Sequence, residues 1–330
     1  MNKMKRAFIS GIGFELGKKL ITNEDMEKLV ETSDEWIQKR IGIKQRYYVD
    51  ENDSLSDLAI EAAKKALVDA QIKAEDVDLI IVGSSTHDYK IGPFTASIIK
   101  DEIVAKNAWG FDVVAICPGP IFLMEIASKF IQTGHKNILI INGDIFSKMP
   151  CFLNNRTTAV IFGDAVSAFV VSATEQDKGL IASHVDIDRN GAKAICFPYG
   201  GSKNFITKDC FDKEDFSINM DGRAVYDFAV KSFVESVQKV CKDKNMDVQD
   251  VDFIISHQAN KNIIVESMNK LNLPLSKTLI NIEKYGNTSG ASVGIALKEA
   301  LDKELIKKGD IVALVAFGSG FGWGCSLLKW

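Results

Sequence analysis

An α/β protein in which one unit is used twice is the fold class this sequence predicts. Three observations predict it. The block Asp76-Val77-Asp78-Leu79-Ile80-Ile81 returns half a chain later as Asp250-Val251-Asp252-Phe253-Ile254-Ile255, and each copy reads as an Asp-led loop entering a short apolar strand. An amphipathic helix precedes each block. The spacing is then kept: Asp76 to Asp250, Ile138 to Ile311 and Cys117 to Asn287 are all offset by about 170–174 residues in a chain of 330. Offsets that stay near half the chain length are what a duplicated unit leaves behind. They divide the chain into halves at residues 1–175 and 176–330.

The elements follow in order. Ser54 and Asp57 offer a capping-box start to a helix whose face carries Leu58, Ala62, Ala63, Ala66, Leu67 and Ala70. Leu79 to Ile81 is the first repeated strand. Asp112 to Ile116 reads as another strand, turning sharply at Cys117-Pro118-Gly119 into a helix over about 122–133 that Gly134 ends. Lys136 to Ile141 is a further strand. In the second half, Val225, Phe228, Ser232, Phe233, Ser236, Val237 and Val240 share a helix face. After the repeated block, Leu279 to Ile282 reads as a strand, Gly286-Asn287 as a turn, Ala291 to Leu305 as a helix, and Ile311 to Phe317 as a strand. Residues 186–220, rich in Gly, Lys, Asp and Phe, read as a long excursion over the site, of a kind that is often functional or mobile.

Composition narrows the function classes. Apolar residues are 46% and charged residues 25%, and Lys plus Arg (40) nearly balances Asp plus Glu (44), for a net charge of −4. That mix is globular, not disordered, and mildly acidic chains are poor binders of phosphate backbones, so no nucleic-acid partner is expected. No apolar run reaches the roughly 18–20 residues needed to span a bilayer, and the charged N-terminus has too short an apolar stretch for a signal peptide. No membrane partner is expected. The six cysteines (117, 151, 196, 210, 241 and 325) form no Cys-x-x-Cys pair, which argues for reduced thiols in a cytoplasmic protein and against a metal site.

Some residues carry candidate chemistry. Cys117 stands where a strand becomes a helix, with Pro118 in the first helical turn. There the helix dipole favours the thiolate, although a buried structural cysteine is the commoner occupant of such a place. Cys151, Cys196, Cys210, Cys241 and Cys325 are read as structural. His257, in Ser256-His257-Gln258-Ala259-Asn260, can donate to a thioester oxygen or move a proton; taken alone it reads better as a satisfied core histidine. Asn287, in Tyr285-Gly286-Asn287-Thr288-Ser289-Gly290, reads alone as a turn residue. Cys117, His257 and Asn287 each follow a predicted strand, where ligands collect in α/β sheets. The turn Phe317-Gly318-Ser319-Gly320-Phe321-Gly322 exposes backbone N–H groups and, with the N–H of Cys117, could form an oxyanion hole. It lacks the Gly-Lys-Ser/Thr ending of a phosphate loop. His87, His135 and His184 are read as structural.

Several stretches in this order resemble one family: Thr32-Ser33-Asp34-Glu35-Trp36-Ile37 with Arg40, Phe111 to Cys117, Phe162-Gly163-Asp164, His257-Gln258-Ala259-Asn260, Gly286-Asn287-Thr288-Ser289 and Trp323-Gly324. The sequence resembles ketoacyl-ACP synthase III, of the thiolase superfamily, as a divergent member. The resemblance implies a thiolase-like fold, duplicated, with a five-layer α-β-α-β-α architecture, mixed sheets and a homodimer. It implies a Cys117-His257-Asn287 triad that takes an acyl group from acyl-CoA and joins it by decarboxylative Claisen condensation to a malonyl thioester, with the N–H groups of Cys117 and Ser319 as oxyanion hole. It also implies that Trp36, Arg40 and Arg156 grip the CoA nucleotide and that Gly222 and Asn260 line the pantetheine tunnel. Acyl-CoA is then a substrate, acyl carrier protein a partner, and no cofactor is tightly bound.

Departures from the family pattern locate an acyl pocket at Gly92, Ile116, Pro118 and Pro120, predicted to be roomier or differently shaped than an acetyl-specific one. Ala165 and Ser167 stand where the family has glycine. Asp227 and Asn262 replace residues that are often basic at the carrier dock, with Arg223, Lys261 and Lys270 nearby. Two other readings keep some of the same residues: acyl transfer to an oxygen or nitrogen acceptor without decarboxylation, and a non-catalytic partner of another condensing enzyme.

Overall fold

The computed structural model describes residues 5–191 and 193–330. The N-terminal stretch weighed above as a signal peptide begins in residues 1–4, outside the described residues, and the excursion over 186–220 contains residue 192, which also lies outside them. The first half runs β1 (Arg6–Leu16), β2 (Lys19–Thr22), α1 (Asn23–Leu29), α2 (Asp34–Arg40), β3 (Gln45–Tyr48), α3 (Leu55–Ala70), β4 (Leu79–Gly83), α4 (Thr95–Glu102), β5 (Trp109–Val113), α5 (Gly119–Gln132), β6 (Asn137–Asp144), α6 (Arg156–Ala159) and β7 (Ala165–Thr174). The second runs β8 (Gly179–Ile187), β9 (Ile195–Cys196), β10 (Asn219–Met220), α7 (Gly222–Lys242), β11 (Phe253–Ser256), α8 (Lys261–Lys270), α9 (Ile282–Tyr285), α10 (Ala291–Asp302), β12 (Ile311–Gly318) and β13 (Gly322–Lys329).

Two mixed sheets result, in the orders β1-β7-β6-β4-β5 and β11-β12-β13-β8. In each, the repeated strand pairs parallel with the strand that follows the central helix. Leu79 lies opposite Ile138, and Phe253 lies opposite Val312. The register of one pair is therefore the register of the other, moved along the chain by one unit. Helices α5 and α10 lie between the sheets, and residues from both sheets and both helices share one core, among them Ile81, Leu123, Val293 and Leu314. Helix α3 covers the outer face of the first sheet and α7 that of the second, which gives five layers, α-β-α-β-α.

Local chemistry places these layers. The capping box at α3 forms: Ser54 N–H donates to Asp57 Oδ2 at 2.7 Å and Asp57 N–H to Ser54 Oγ at 3.3 Å. Its predicted apolar face is buried, with Ala70 at the margin. Gly11 and Gly13 let that face approach β1: a Cβ on Gly11 would lie 2.4 Å from Ala66 O. Burial of such faces is the dominant favourable term, about 25 cal/mol per Å² of apolar surface. Ala165 and Ser167 lie in β7, an extended strand that does not require glycine.

Three sequence expectations change. Strand β5 starts earlier than read and ends at Val113, so Val114 to Ile116 are irregular. Leu279 to Ile282 do not form a strand: Thr278 makes a single bridge to Ile254 and Ile282 begins the short α9. The second sheet consequently lacks a counterpart of β5. Pro118 caps α5 rather than opening it, and Pro120 occupies the first turn, where a missing N–H leaves no bond unmade. No helix of the described residues is long and apolar enough to cross a membrane.

Candidate active site

The turn that carries Cys117 is fastened to β6. Asn142 Nδ2 donates to Gly83 O at 2.5 Å and to Ala115 O at 2.9 Å, tying the end of β4 and the segment after β5 to one side chain. Helix α5 begins so close to that carboxamide that a Cβ on Gly119 would lie 2.4 Å from Asn142 Nδ2. Cys117 is thereby buried at the helix entrance, its Sγ 3.6 Å from Ser289 Oγ. Burial pushes its thiol up to about 12, and the carboxylate of Asp144 adds to the rise. Hydrogen bonds from Ser289 and from the backbone of Cys117 and Ser319 partly oppose it. The thiolate expected from the helix dipole is therefore not the resting form, because desolvation outweighs the donors. The two backbone groups named for an oxyanion hole do converge on the sulfur.

His257 follows β11 directly, and its N–H donates to Val315 O at 2.8 Å. Ser292, in the first turn of α10, lies 2.7 Å from His257 Nδ1 and accepts from Gln258 N–H at 3.1 Å. The ring is thus held through Nδ1, edge-on to Phe317. Burial pushes the imidazole down to about 3, with the Ser289 backbone opposing, so the ring is neutral at physiological pH.

Asn287 follows α9, not a strand, which corrects the expectation from sequence. Gly286 turns there at φ +67°, a left-handed conformation that glycine adopts freely. Asn287 N–H donates to Ile161 O at 2.9 Å and its carbonyl accepts from Gly163 N–H at 3.0 Å. Its Oδ1 accepts from Ser289 N–H at 2.9 Å, leaving Nδ2 for the cavity.

A cavity of about 340 Å³ joins these groups, lined by Cys117, His257, Asn287 and Ser319. Ile116, Gly222 and Asn260 line it as well, with an apolar wall that includes Phe146, Phe162, Ile195 and Ile218. Asn260 caps α8 and donates from Nδ2 to Arg40 O at 3.0 Å, placing Arg40 beside the mouth. Trp36 is half-buried on α2 and does not line the cavity. Arg156 is exposed and donates from Nη1 to Glu31 O at 2.8 Å.

The acyl-pocket reading needs correction. Only Ile116 of its four residues lines the cavity. Pro118 and Pro120 are buried behind the turn. Gly92 lies in an exposed loop with nothing within 4 Å of a Cβ built on it, so it walls nothing within its own chain. Sequence reasoning also missed Ser289, Ser292 and Asp144. Asp144 ends an apolar strand, which was a usable signal, because carboxyl ends of strands are where sites form.

The family model described as 3-oxoacyl-[acyl-carrier-protein (ACP)] synthase III matches residues 111–189, and its C-terminal counterpart matches residues 241–330. The chain is 43% identical over 325 residues to a beta-ketoacyl-[acyl-carrier-protein] synthase III of Caldanaerobacter subterraneus, covering 98% of both chains. It is 40% identical over 328 residues to the one from Clostridioides difficile, again covering 98% of both. Among solved structures, 3-oxoacyl-[acyl-carrier-protein] synthase III from Aquifex aeolicus superposes with a TM-score of 0.89 at 36% identity, covering 98% of this chain and 100% of that one.

Proposed function

The chain belongs to the 3-oxoacyl-[acyl-carrier-protein] synthase III family, and from that premise we propose that Cys117, His257 and Asn287 carry its reaction. The protein is an acyltransferase of fatty-acid synthesis: it condenses the acyl group of an acyl-CoA with malonyl-ACP to give a 3-oxoacyl-ACP. Cys117 Sγ attacks the acyl-CoA carbonyl, CoA leaves as its thiolate, and the acyl group stays as a thioester. The malonyl thioester then enters. Nδ2 of Asn287 and the neutral ring of His257 hydrogen-bond its carbonyl oxygen, and carbon dioxide leaves. The electron pair of the broken carbon–carbon bond forms an enolate, which attacks the acyl-enzyme and expels Cys117 Sγ. The N–H groups of Cys117 and Ser319 receive the oxyanion in both additions.

One observation carries this reading: a single mostly apolar cavity contains the sulfur, the imidazole, the carboxamide and the Ser319 turn. A neutral His257 suits hydrogen-bond donation to an enolate and is ill suited to holding a thiolate as an ion pair. Gly222 and Asn260 line the pantetheine route, with Trp36, Arg40 and Arg156 outside it for the nucleotide. The exposed Arg223 and Lys261 adjoin Gly222 and Asn260, with Asp221 and Asp227 exposed beside them; the two cations are the groups there that would meet an acidic carrier protein.

The homodimer reading draws support from β5, an edge strand. Trp109 on it and Val114 after it are exposed, as are Ile91 and Phe94 in the neighbouring loop, and such an edge favours pairing with a second copy. The division at residues 175 and 176 falls between β7 and β8, and the six unpaired cysteines suit a reducing cytoplasm.

The test is intact mass after incubation with a panel of acyl-CoAs. One acyl group is expected on the protein, and none on Cys117→Ala. An adduct that survives Cys117→Ala overturns the assignment of the nucleophile.

A further inference from the structure

Accepting Cys117 as the nucleophile, we propose that Ser289 and Asp144 store its proton: Ser289 Oγ takes the thiol proton while passing its own to Asp144 Oδ2, and the same path returns the proton when the sulfur is released. The path is continuous. Cys117 Sγ lies 3.6 Å from Ser289 Oγ, and Ser289 Oγ donates to Asp144 Oδ2 at 2.6 Å.

The acceptor is built as a base. Asp144 is fully buried. Its Oδ1 accepts from Ser84 Oγ at 3.0 Å and from Ser85 N–H and Oγ at 2.8 Å each, with Thr86 Oγ1 at 3.3 Å. Its Oδ2 has Ser289 alone among the described residues, which leaves that oxygen able to take a proton. No Lys or Arg pairs with Asp144 among the described residues. The titratable groups facing it are Cys117 from the turn and Asp164 from the link between β6 and β7, while His257 lies across the cavity. Burial raises the Asp144 carboxyl above its ordinary range, which brings it nearer to the thiol it serves. A thiolate beside a buried carboxylate is doubly unfavourable, so one negative charge moves between the two groups and never occupies both.

Ser289 is held for this task. Its φ is +53°, uncommon for a residue with a Cβ, and its N–H is fixed on Asn287 Oδ1 at 2.9 Å. One residue therefore positions the carboxamide through its backbone and the sulfur through its side chain.

The protons balance. In acylation the Cys117 S–H bond breaks, the Asp144 O–H bond forms by way of Ser289, and CoA departs as a thiolate that takes a proton from water. In condensation the enolate expels Cys117 as a thiolate, and the proton held on Asp144 returns to it through Ser289. Over the cycle one proton is consumed from solvent, by CoA, as the overall reaction requires.

The test is the rate of Cys117 acylation by acetyl-CoA or a longer acyl-CoA, read by rapid quench and intact mass between pH 5.5 and 9. Asp144→Asn keeps the shape of the acceptor and removes its basicity. Ser289→Gly removes the hydroxyl and tolerates the positive φ. Each variant is expected to lose roughly 100-fold at pH 7, the scale of a lost general base, and to regain rate about tenfold per pH unit as hydroxide substitutes. The double variant is expected to be no slower than either single. A wild-type pH profile merely scaled down in both variants, or losses that multiply in the double, overturns the relay and leaves Cys117 as the nucleophile. If Asp144→Asn does not fold, the pH profile of Ser289→Gly decides by the same criterion. If wild type acquires no acyl group on Cys117, the parent reading fails and the relay falls with it.

Discussion

The two halves of the molecule share a strand register and divide the chemistry. The pair β4–β6 and the pair β11–β12 superimpose residue for residue along the sequence offset, yet what stands beyond their carboxyl ends differs in kind. The first half presents acids that can exchange protons: Cys117, Asp144 and Asp164, all raised by burial. The second presents neutral hydrogen-bonding groups: His257, held down by the same burial, with Asn287 and the Ser319 backbone. One physical cause, desolvation, shifts the titratable groups of both halves toward their neutral forms. The difference teaches that a duplicated scaffold gives two similar frames facing one cavity, and that residue identity beyond the strand ends sets raised acids on one frame and neutral hydrogen-bonding groups on the other. The fifth strand follows the same asymmetry, since β5 leads to the Cys117 turn while its counterpart is replaced by the irregular segment before α9.

The largest effect separates those frames outright. In the double variant His257→Ala with Asn287→Ala, decarboxylation of malonyl thioester is expected to fall by at least ~1,000-fold, since losing one such donor already costs about 100- to 1,000-fold. Acylation of Cys117 is expected to stay within about tenfold, because the donors proposed for its oxyanion are backbone groups. Carbon dioxide release and intact mass measure the two steps independently. Parallel losses in both would erase the division.

A smaller effect lies where the frames touch. Gly318 has φ 171°, an extended conformation open to any residue, so Gly318→Ala tests space alone. The added Cβ would lie 2.5 Å from Cys117 Cβ and 3.2 Å from Cys117 Sγ. Overpacking of this kind costs about 1–3 kcal/mol, and with Cys117 displaced from its proposed role acylation is expected to be roughly 100-fold slower. Stopped mass analysis and thermal unfolding read the two consequences; a variant that acylates normally would show that the turn yields.

Much of this was legible in the sequence because it depends on local pattern. The Ser54–Asp57 cap, the apolar faces of α3 and α7, and the strands after Asp78 and Asp252 repeat with the periods their geometry demands. Leu279 to Ile282 misled because a short apolar run looks the same whether it enters a sheet or a buried turn of helix. The thiol misled for a different reason: the helix entrance is visible in the sequence, but the depth of burial is not, and burial decides the sign of its shift. Ser289 and Asp144 stand on opposite halves of the chain, and only the packed fold brings them to one sulfur. Gly92 shows the converse, since a difference in residue size says nothing about which wall, or which chain's wall, the position faces.

The remaining effect concerns stability rather than rate and isolates His257. Its folded value near 3 lies below the ordinary 6.5, so between those values the unfolded chain binds the proton that the folded chain refuses. Stability attributable to this group therefore rises with pH across that window, by up to about 1.4 kcal/mol per pH unit, and is flat above it. Asp164 works in the opposite sense: burial raises it to about 6 from 3.8, so the folded chain binds the extra proton and stability falls as pH rises between those values. A single unfolding curve mixes the two. Subtracting the stability of His257→Gln from that of wild type at each pH removes Asp164 and every other group unaffected by the substitution. The difference is expected to climb from pH 4 to pH 6.5 and then level off. A flat difference would mean that the folded protein accepts a charged imidazole, and the second frame would then be no more neutral than the first.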